Sequence, residues 1–258
     1  MTEIQKTAYP NKTFAMFNVP SFRHCDNFQN ADLKPRQKAH IAACAFLGAI
    51  VPVVILNSFK KGRMNDLISS FKNNLPFRDK FKNIWKMFEI ENYFQILATT
   101  TGGVFGGLLG GLKFAKNKED KEAKYKESIF EFLNSMTPTT LVALGLKTLE
   151  KNGKSKSIPL EAGIILSSVA GGMFIANKAS NKINELIFDK NKKKEDKDTR
   201  NFKPTDCLVH VDDILNLAVL AKIPYANKLQ VDKLLPLIYA RTGYEVGNAK
   251  KKKSNNKI

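Results

Sequence analysis

Hydrophobic and polar positions along the chain are sharply segregated. Residues 41–59 (IAACAFLGAIVPVVILNSF) contain no charge, and neither do residues 92–112 (NYFQILATTTGGVFGGLLGGL). Shorter uncharged runs follow at 132–146 (FLNSMTPTTLVALGL) and 162–177 (AGIILSSVAGGMFIAN). A helix rises about 1.5 Å per residue and the hydrocarbon core is roughly 30 Å thick, so about twenty apolar residues cross it. The first two runs meet that length. The fourth meets it if Glu161 and Lys178 snorkel at its ends. The third is marginal, because it carries Thr, Ser and Asn. A soluble helix normally keeps a polar stripe at 3.6-residue spacing, and residues 41–56 have none. The pattern predicts an all-α integral membrane protein, with about four hydrophobic helices in two hairpins plus amphipathic or interfacial helices.

The expected organisation is a basic, largely irregular N-terminal segment (1–39) and a membrane-embedded unit (40–182). Its helices are expected at 41–59, 92–114, 132–149 and 160–179. A charged linker (189–204), a C-terminal helical hairpin (205–248) and a basic tail (249–258) follow. Pro10, Pro20 and Pro35 interrupt the first segment, which has no apolar stretch of signal-peptide length. Insertion through the first internal helix is therefore expected.

Residues 96–105 (ILATTTGGVF) and 165–174 (ILSSVAGGMF) share five of ten identities at an offset of sixty-nine. Within the first, Gly102, Gly106 and Gly110 form one GxxxGxxxG row, and Gly103, Gly107 and Gly111 form a second beside it. In the later helix Gly163, Ser167 and Gly171 form one small-residue row, and Ser168, Gly172, Ala176 and Ser180 form another. Six glycines in ten residues would melt a solvated helix, since each costs roughly 1 kcal/mol against alanine. In lipid the backbone must stay hydrogen-bonded, so the helix survives and the glycines permit close backbone approach. These rows are glycine-zipper faces for helix packing. They are expected to face one another within one chain; the alternative is an oligomer or pore built from several copies. The doubled strip is similar to the glycine-repeat helices of mitochondrial inner-membrane protein translocases. The likeness covers one helix and brings no function with it.

Charge changes the picture at the ends of the runs. The chain has 258 residues, with 42 Lys and Arg against 24 Asp and Glu, for a net charge of +18. For four spans with both termini inside, the inner connectors hold at least 21 cations and the outer ones 12. The positive-inside rule then puts both termini in the cytoplasm, at a plasma or inner membrane. The connector between the first two runs has its own periodicity. Residues 66–90 are expected to form an interfacial helix, in which Phe77, Phe81, Trp85 and Phe88 make an apolar stripe bordered by Lys82 and Lys86. The partners implied are the lipid bilayer and its anionic headgroups, with a homo-oligomer as a further possibility. Nucleic acid is not expected, because no recognition signature accompanies the lysines. A peripheral basic protein bound to anionic membrane or nucleic acid is the alternative from a different class.

Chemistry is sparse. Three scattered cysteines rule out a disulfide framework and a CxxC zinc site. Cys207, His210 and Asp213 share helical spacing and are the one local metal-like grouping, without an evident further ligand. Acids in the first turns of a helix favour its dipole, and that is the preferred account of the cluster. No catalytic constellation appears, no enzyme is assigned, and no cofactor or metal is expected. The glycine pair is no phosphate loop, since no strand precedes it and no Lys-Ser/Thr follows.

Overall fold

A computed structural model of the chain describes residues 28–73, 76–153, 158–192, 199–200 and 230–251. These residues form seven helices and one pair of short strands. The elements are β1 (Phe28–Asn30), α1 (Pro35–Ser58), α2 (Arg63–Lys72), α3 (Phe77–Lys86) and α4 (Tyr93–Leu112). They continue with α5 (Lys118–Lys151), α6 (Ile158–Ile187), α7 (Val231–Gly247) and β2 (Ala249–Lys251). The fold is all-helical, apart from the antiparallel β1–β2 clasp that registers Phe28 with Lys251.

Local sequence sets the helix boundaries. Pro35 starts α1, at a position whose N–H needs no helical partner. Asn92 and Asn117 cap α4 and α5 by accepting from the backbone N–H of Gln95 and Asp120. Gly62, at φ +90°, turns the chain between α1 and α2. Pro76 begins α3, which divides the expected single helix over 66–90 into two.

Helices α1, α4, α5 and α6 alternate in direction between two ends, and α7 runs parallel to α4. At the strand end lie the N-termini of α1 and α5, the C-termini of α4, α6 and α7, and the β1–β2 pair. At the elbow end lie the C-terminus of α1, the α2–α3 pair and the N-termini of α4 and α7. The most extensive packing is α1 on α4, followed by α5 on α6 and α7 on α4. The main core joins Ala49, Val53, Ile96, Met136, Leu235 and Tyr239, so α1, α4, α5 and α7 share it.

Of the four runs, only those in α1 and α6 form helices long and apolar enough to cross a membrane, over Pro35–Ser58 and Pro159–Ile187. Helix α4 has the length, but its glycines and threonines dilute its apolar character. The run at 132–149 is the second half of the 34-residue α5, whose first half is charged. Within the C-terminal segment expected as a helical hairpin, the described helix α7 lies in the core, with Tyr239, Gly243 and Gly247 buried. Finally, Ala249–Lys251 is strand, not tail.

Candidate functional site

Helix α4 is gripped on two faces, and glycine makes both grips possible. On one face, a methyl added at Gly102 would lie 3.0 Å from Pro52 Cγ and collide with the Gly48 carbonyl. Gly106 opposes Cys44 and Gly48, and a methyl added at Gly110 would lie 2.9 Å from Cys44 Cβ and 3.2 Å from Ile41 Cα. This face therefore belongs to α1, running antiparallel. On the other face a methyl added at Gly103 would lie 2.7 Å from the Tyr239 carbonyl oxygen, one at Gly107 would collide with Gly243, and one at Gly111 would lie 2.5 Å from Gly247 Cα. That face belongs to α7, running parallel in constant register. Repeatedly it is a carbonyl oxygen that occupies the place of the missing Cβ, the arrangement of interhelical Cα–H···O contacts.

The expected partner of these faces was the Gly163/Gly171/Gly172 side of α6. The structure places that helix on α5 instead. Gly172 abuts Pro138, whose Cα would lie 2.5 Å from an added methyl, and Ala176 is buried in the same interface. Ser168 lies beside Gly145 of α5. Gly163 and Gly171 face open space, and the Ser167 hydroxyl donates to the Gly163 carbonyl at 2.8 Å. A small-residue row predicts that something comes close. It does not say which helix.

Sequence reasoning missed the α1 side of the contact. Its signal was present as a small-residue row, Cys44, Gly48 and Pro52, at four-residue spacing. Pro52 also removes the N–H that Gly48 would receive in a regular helix, and the Gly48 carbonyl is the one pressed against Gly102. Pro236 in α7 frees the Asp232 carbonyl in the same way, and that oxygen accepts from Ile90 N–H at 3.2 Å. Mid-helix prolines thus supply acceptors to neighbouring elements.

The outward faces are apolar. On α1 a buried stripe of Ile41, Ala45, Ala49, Val53 and Asn57 repeats every four residues. Opposite it, Phe46, Leu47, Val51, Ile55 and Leu56 are exposed. On α6, Leu166 is 71% exposed, and Phe174 and Ile175 are also exposed. Hydroxyls near this level fold back on their own helices: Thr99 to Gln95, Thr139 to Ser135 and Thr140 to Met136, each at 2.7 Å.

Both ends are polar and tightly paired. At the elbow end Asn57 Nδ2 donates to the Met87 and Glu89 carbonyls, and Gln95 Nε2 donates to Asn57 Oδ1 at 2.7 Å. Arg63 bridges Glu89 and Glu91, and Lys60 also pairs with Glu91. Partial burial works to raise the Glu91 pKa, but hydrogen bonds and charge from Lys60 and Arg63 outweigh it and hold the carboxyl below its ordinary value. At α3 the expected membrane-interface residues form a ladder. Phe77, Phe81, Trp85 and Phe88 follow one another at centroid separations of 6.3, 5.7 and 5.8 Å. Phe77 and Phe81 are exposed, as is Lys82; Lys86 is half-buried.

At the strand end Lys126, 2% exposed, donates to both oxygens of Asp189 at 2.8 Å. Lys192 pairs with Asp189 and with Glu122. Arg200 pairs with the buried Glu127 and stacks over Phe130 at 3.5 Å. Asn181 clasps the Arg200 main chain, donating to its carbonyl at 2.9 Å and accepting its N–H at 3.0 Å. The described residues of the expected charged linker are therefore fastened to α5 and α6. Lys124 reaches the α7 terminus, donating to the Gly247 and Ala249 carbonyls at 2.6 and 2.8 Å.

Among the described residues, no three His, Cys, Asp or Glu side chains converge to hold a metal ion. Cys207, His210 and Asp213 lie outside the described residues. No protein family, curated protein or solved structure matches this chain.

Proposed function

We propose that this chain is an integral membrane protein whose role is structural: a packing or assembly component built on glycine-zipper contacts, without an enzymatic or conducting site. The observation that carries this is the two-faced character of α1. Its buried stripe packs on α4 and α7, while over residues 43–56 its opposite face is apolar and exposed. A water-soluble helix with one buried stripe carries polar side chains on the other side. Here those positions hold Phe46, Leu47, Val51 and Ile55, which suit acyl chains. Helix α6 repeats the arrangement with Leu166, Phe174 and Ile175.

The glycine geometry favours packing over a pore. A lumen needs a polar, uncovered face, and both glycine faces of α4 are occupied by main chain from the same molecule. Charge favours an orientation with the strand end in the cytoplasm. In the sequence, the stretches 1–38, 113–127 and 178–203, which adjoin helix termini described at that end, hold 21 basic residues, against 12 in the stretches 60–91 and 147–156. Alkaline carbonate extraction of membranes from expressing cells tests the reading. The protein is expected in the pellet. Its release by carbonate, or by high salt alone, would make it peripheral and overturn the proposal.

A further inference from the structure

The α2–α3 elbow carries an exposed apolar surface that the described chain leaves uncovered. Phe77 is 83% exposed, and Phe81, Phe71, Ile68 and Met64 are exposed beside it. The surface is held in place. Arg63 ties the start of α2 to the Lys86 carbonyl at 2.9 Å and to Glu89. Trp85 Nε1 donates to Gln230 Oε1 at 2.9 Å, which fixes the far end of α3 to the start of α7.

Charge frames the surface on both sides. Arg78 and Lys82 lie on α3 roughly a quarter-turn or more from the aromatic ladder on one side, and Lys80 about a quarter-turn on the other. Lys80 folds over the Phe71 ring at 5.7 Å. Arg78 and Lys82 have no carboxylate within 4 Å among the described residues, whereas Arg63 and Lys60 in the same elbow are ion-paired. The surface also continues an apolar one. It lies where α1 ends, next to Phe59 at 84% exposure and the exposed Ile55 and Leu56. An aromatic face with cations at its edges, set at the end of a candidate span, matches the boundary between acyl chains and phosphates.

We propose that the α2–α3 elbow is a binding surface for anionic phospholipid, with Phe71, Phe77 and Phe81 sunk at the acyl boundary and Arg78, Lys80 and Lys82 on the phosphates. This rests on the membrane reading and adds to it a lipid class and a place. A protein partner would find the same aromatic face, but only lipid follows from continuity with the apolar side of α1.

The chain contains one tryptophan, Trp85, at the middle of the ladder, so its fluorescence reports on this surface alone. Full-length protein is reconstituted into vesicles in which phosphatidylcholine or phosphatidylglycerol carries bromine high on the acyl chain. Brominated phosphatidylglycerol is expected to reach half-maximal quenching at a mole fraction at least about fivefold lower than brominated phosphatidylcholine, since each of the three cations at the surface is worth ~1 kcal/mol. Arg78→Glu with Lys82→Glu should bring the two curves together. A Trp85→Phe, Phe81→Trp variant moves the reporter to the more exposed rung and should show the same preference. Identical curves for the two lipids in both reporters would overturn the proposal, as would quenching by aqueous iodide without quenching by brominated lipid. Carbonate resistance of the same vesicles separates the two failures. A protein that resists carbonate but shows no lipid preference refutes the elbow surface only. A protein stripped from the vesicles refutes the membrane reading.

Discussion

Gly107 of α4 and Gly243 of α7 meet main chain to main chain: a methyl on Gly107 would lie 2.7 Å from the Gly243 α-carbon. Neither partner is a flexible side chain that can swing aside. Gly107→Ala is therefore expected to cost about 3 kcal/mol, the upper range for overpacking, and Gly107→Leu to prevent α7 from seating. Gly163→Ala is the matched control, since nothing lies within 4 Å of its added methyl. It should leave stability unchanged, or raise it by up to ~1 kcal/mol through helix propensity. Thermal unfolding in detergent, followed by circular dichroism, separates the two. Equal effects at both positions would refute the α4–α7 contact.

Arg200 fastens the chain beyond α6 to the bundle through a carboxylate that is itself buried, Glu127. Arg200→Met leaves that charge without its main partner and should cost about 3–5 kcal/mol. Glu127→Leu together with Arg200→Met should recover much of the loss, because an apolar pair of similar volume avoids the desolvation penalty. If the double variant is as unstable as the sum of the singles, as measured by chemical unfolding, the two residues act independently and the strap is not held by this pair.

Acid and base should act on opposite ends of the molecule with opposite signs. Burial favours the neutral form of Glu122 and of the more strongly buried Asp189, but hydrogen bonds and charge from Lys192 and Lys126 prevail and lower both pKa values. A carboxyl with a depressed folded pKa contributes stability above its ordinary value that disappears as pH falls through the folded one. The α5–α6 foot should thus hold from neutral pH down to about 4, near those ordinary values, and loosen below it. Lys192 is shifted up by the same pairing, so alkaline conditions do not release the foot. Asp232 has the other sign. Burial, with Glu89 nearby, raises its pKa, so its ionisation opposes folding once pH exceeds that raised value. Asp232→Asn should stabilise the protein at pH 7 and change little at pH 3.5. A stability gain of equal size at both pH values would show that the effect is not ionisation.

Much of this architecture is legible in the sequence, but unevenly. The uncharged runs at 41–59 and 162–177 correspond to α1 and α6 because those helices keep an uncovered apolar face, and run length registers that face. Helix α7 escapes the same test. Leu234 to Ala240 is only seven uncharged residues, and Pro236 interrupts them, yet Tyr239 is fully buried in the core that α1, α4 and α5 share with α7. A helix surrounded by protein needs small residues for close approach, not length, and Gly243 and Gly247 provide them. The glycine rows of α4 announce two tight contacts, but partner choice depends on long-range topology, which local spacing does not encode. Charged residues at 118–127 look like a connector for a similar reason. Lys124, Lys126 and Glu127 are among the most buried side chains, each paid for by a partner more than sixty residues away.

Lys124 provides the last test, because its partners are main-chain carbonyls at a helix end. Its ammonium donates to Gly247 and Ala249, which lie at the C-terminus of α7 and in β2. The terminal carbonyls of a helix lack intrahelical donors and carry the negative end of its dipole, so a buried cation there satisfies both. Lys124→Met keeps the aliphatic volume and removes the donor. It should cost about 2–3 kcal/mol, because a charged hydrogen bond is lost and carbonyls are left dry. The damage should be local at first: α7 and the β1–β2 clasp detach together, while α5 and α6 stay paired through Lys126 and Asp189. Hydrogen exchange of the full-length variant in detergent reads this directly. Faster exchange at 231–251 and 28–30, with protection retained in α6, is the expected pattern. Uniform acceleration through α5 and α6 would mean that Lys124 supports the whole bundle and not the α7 terminus.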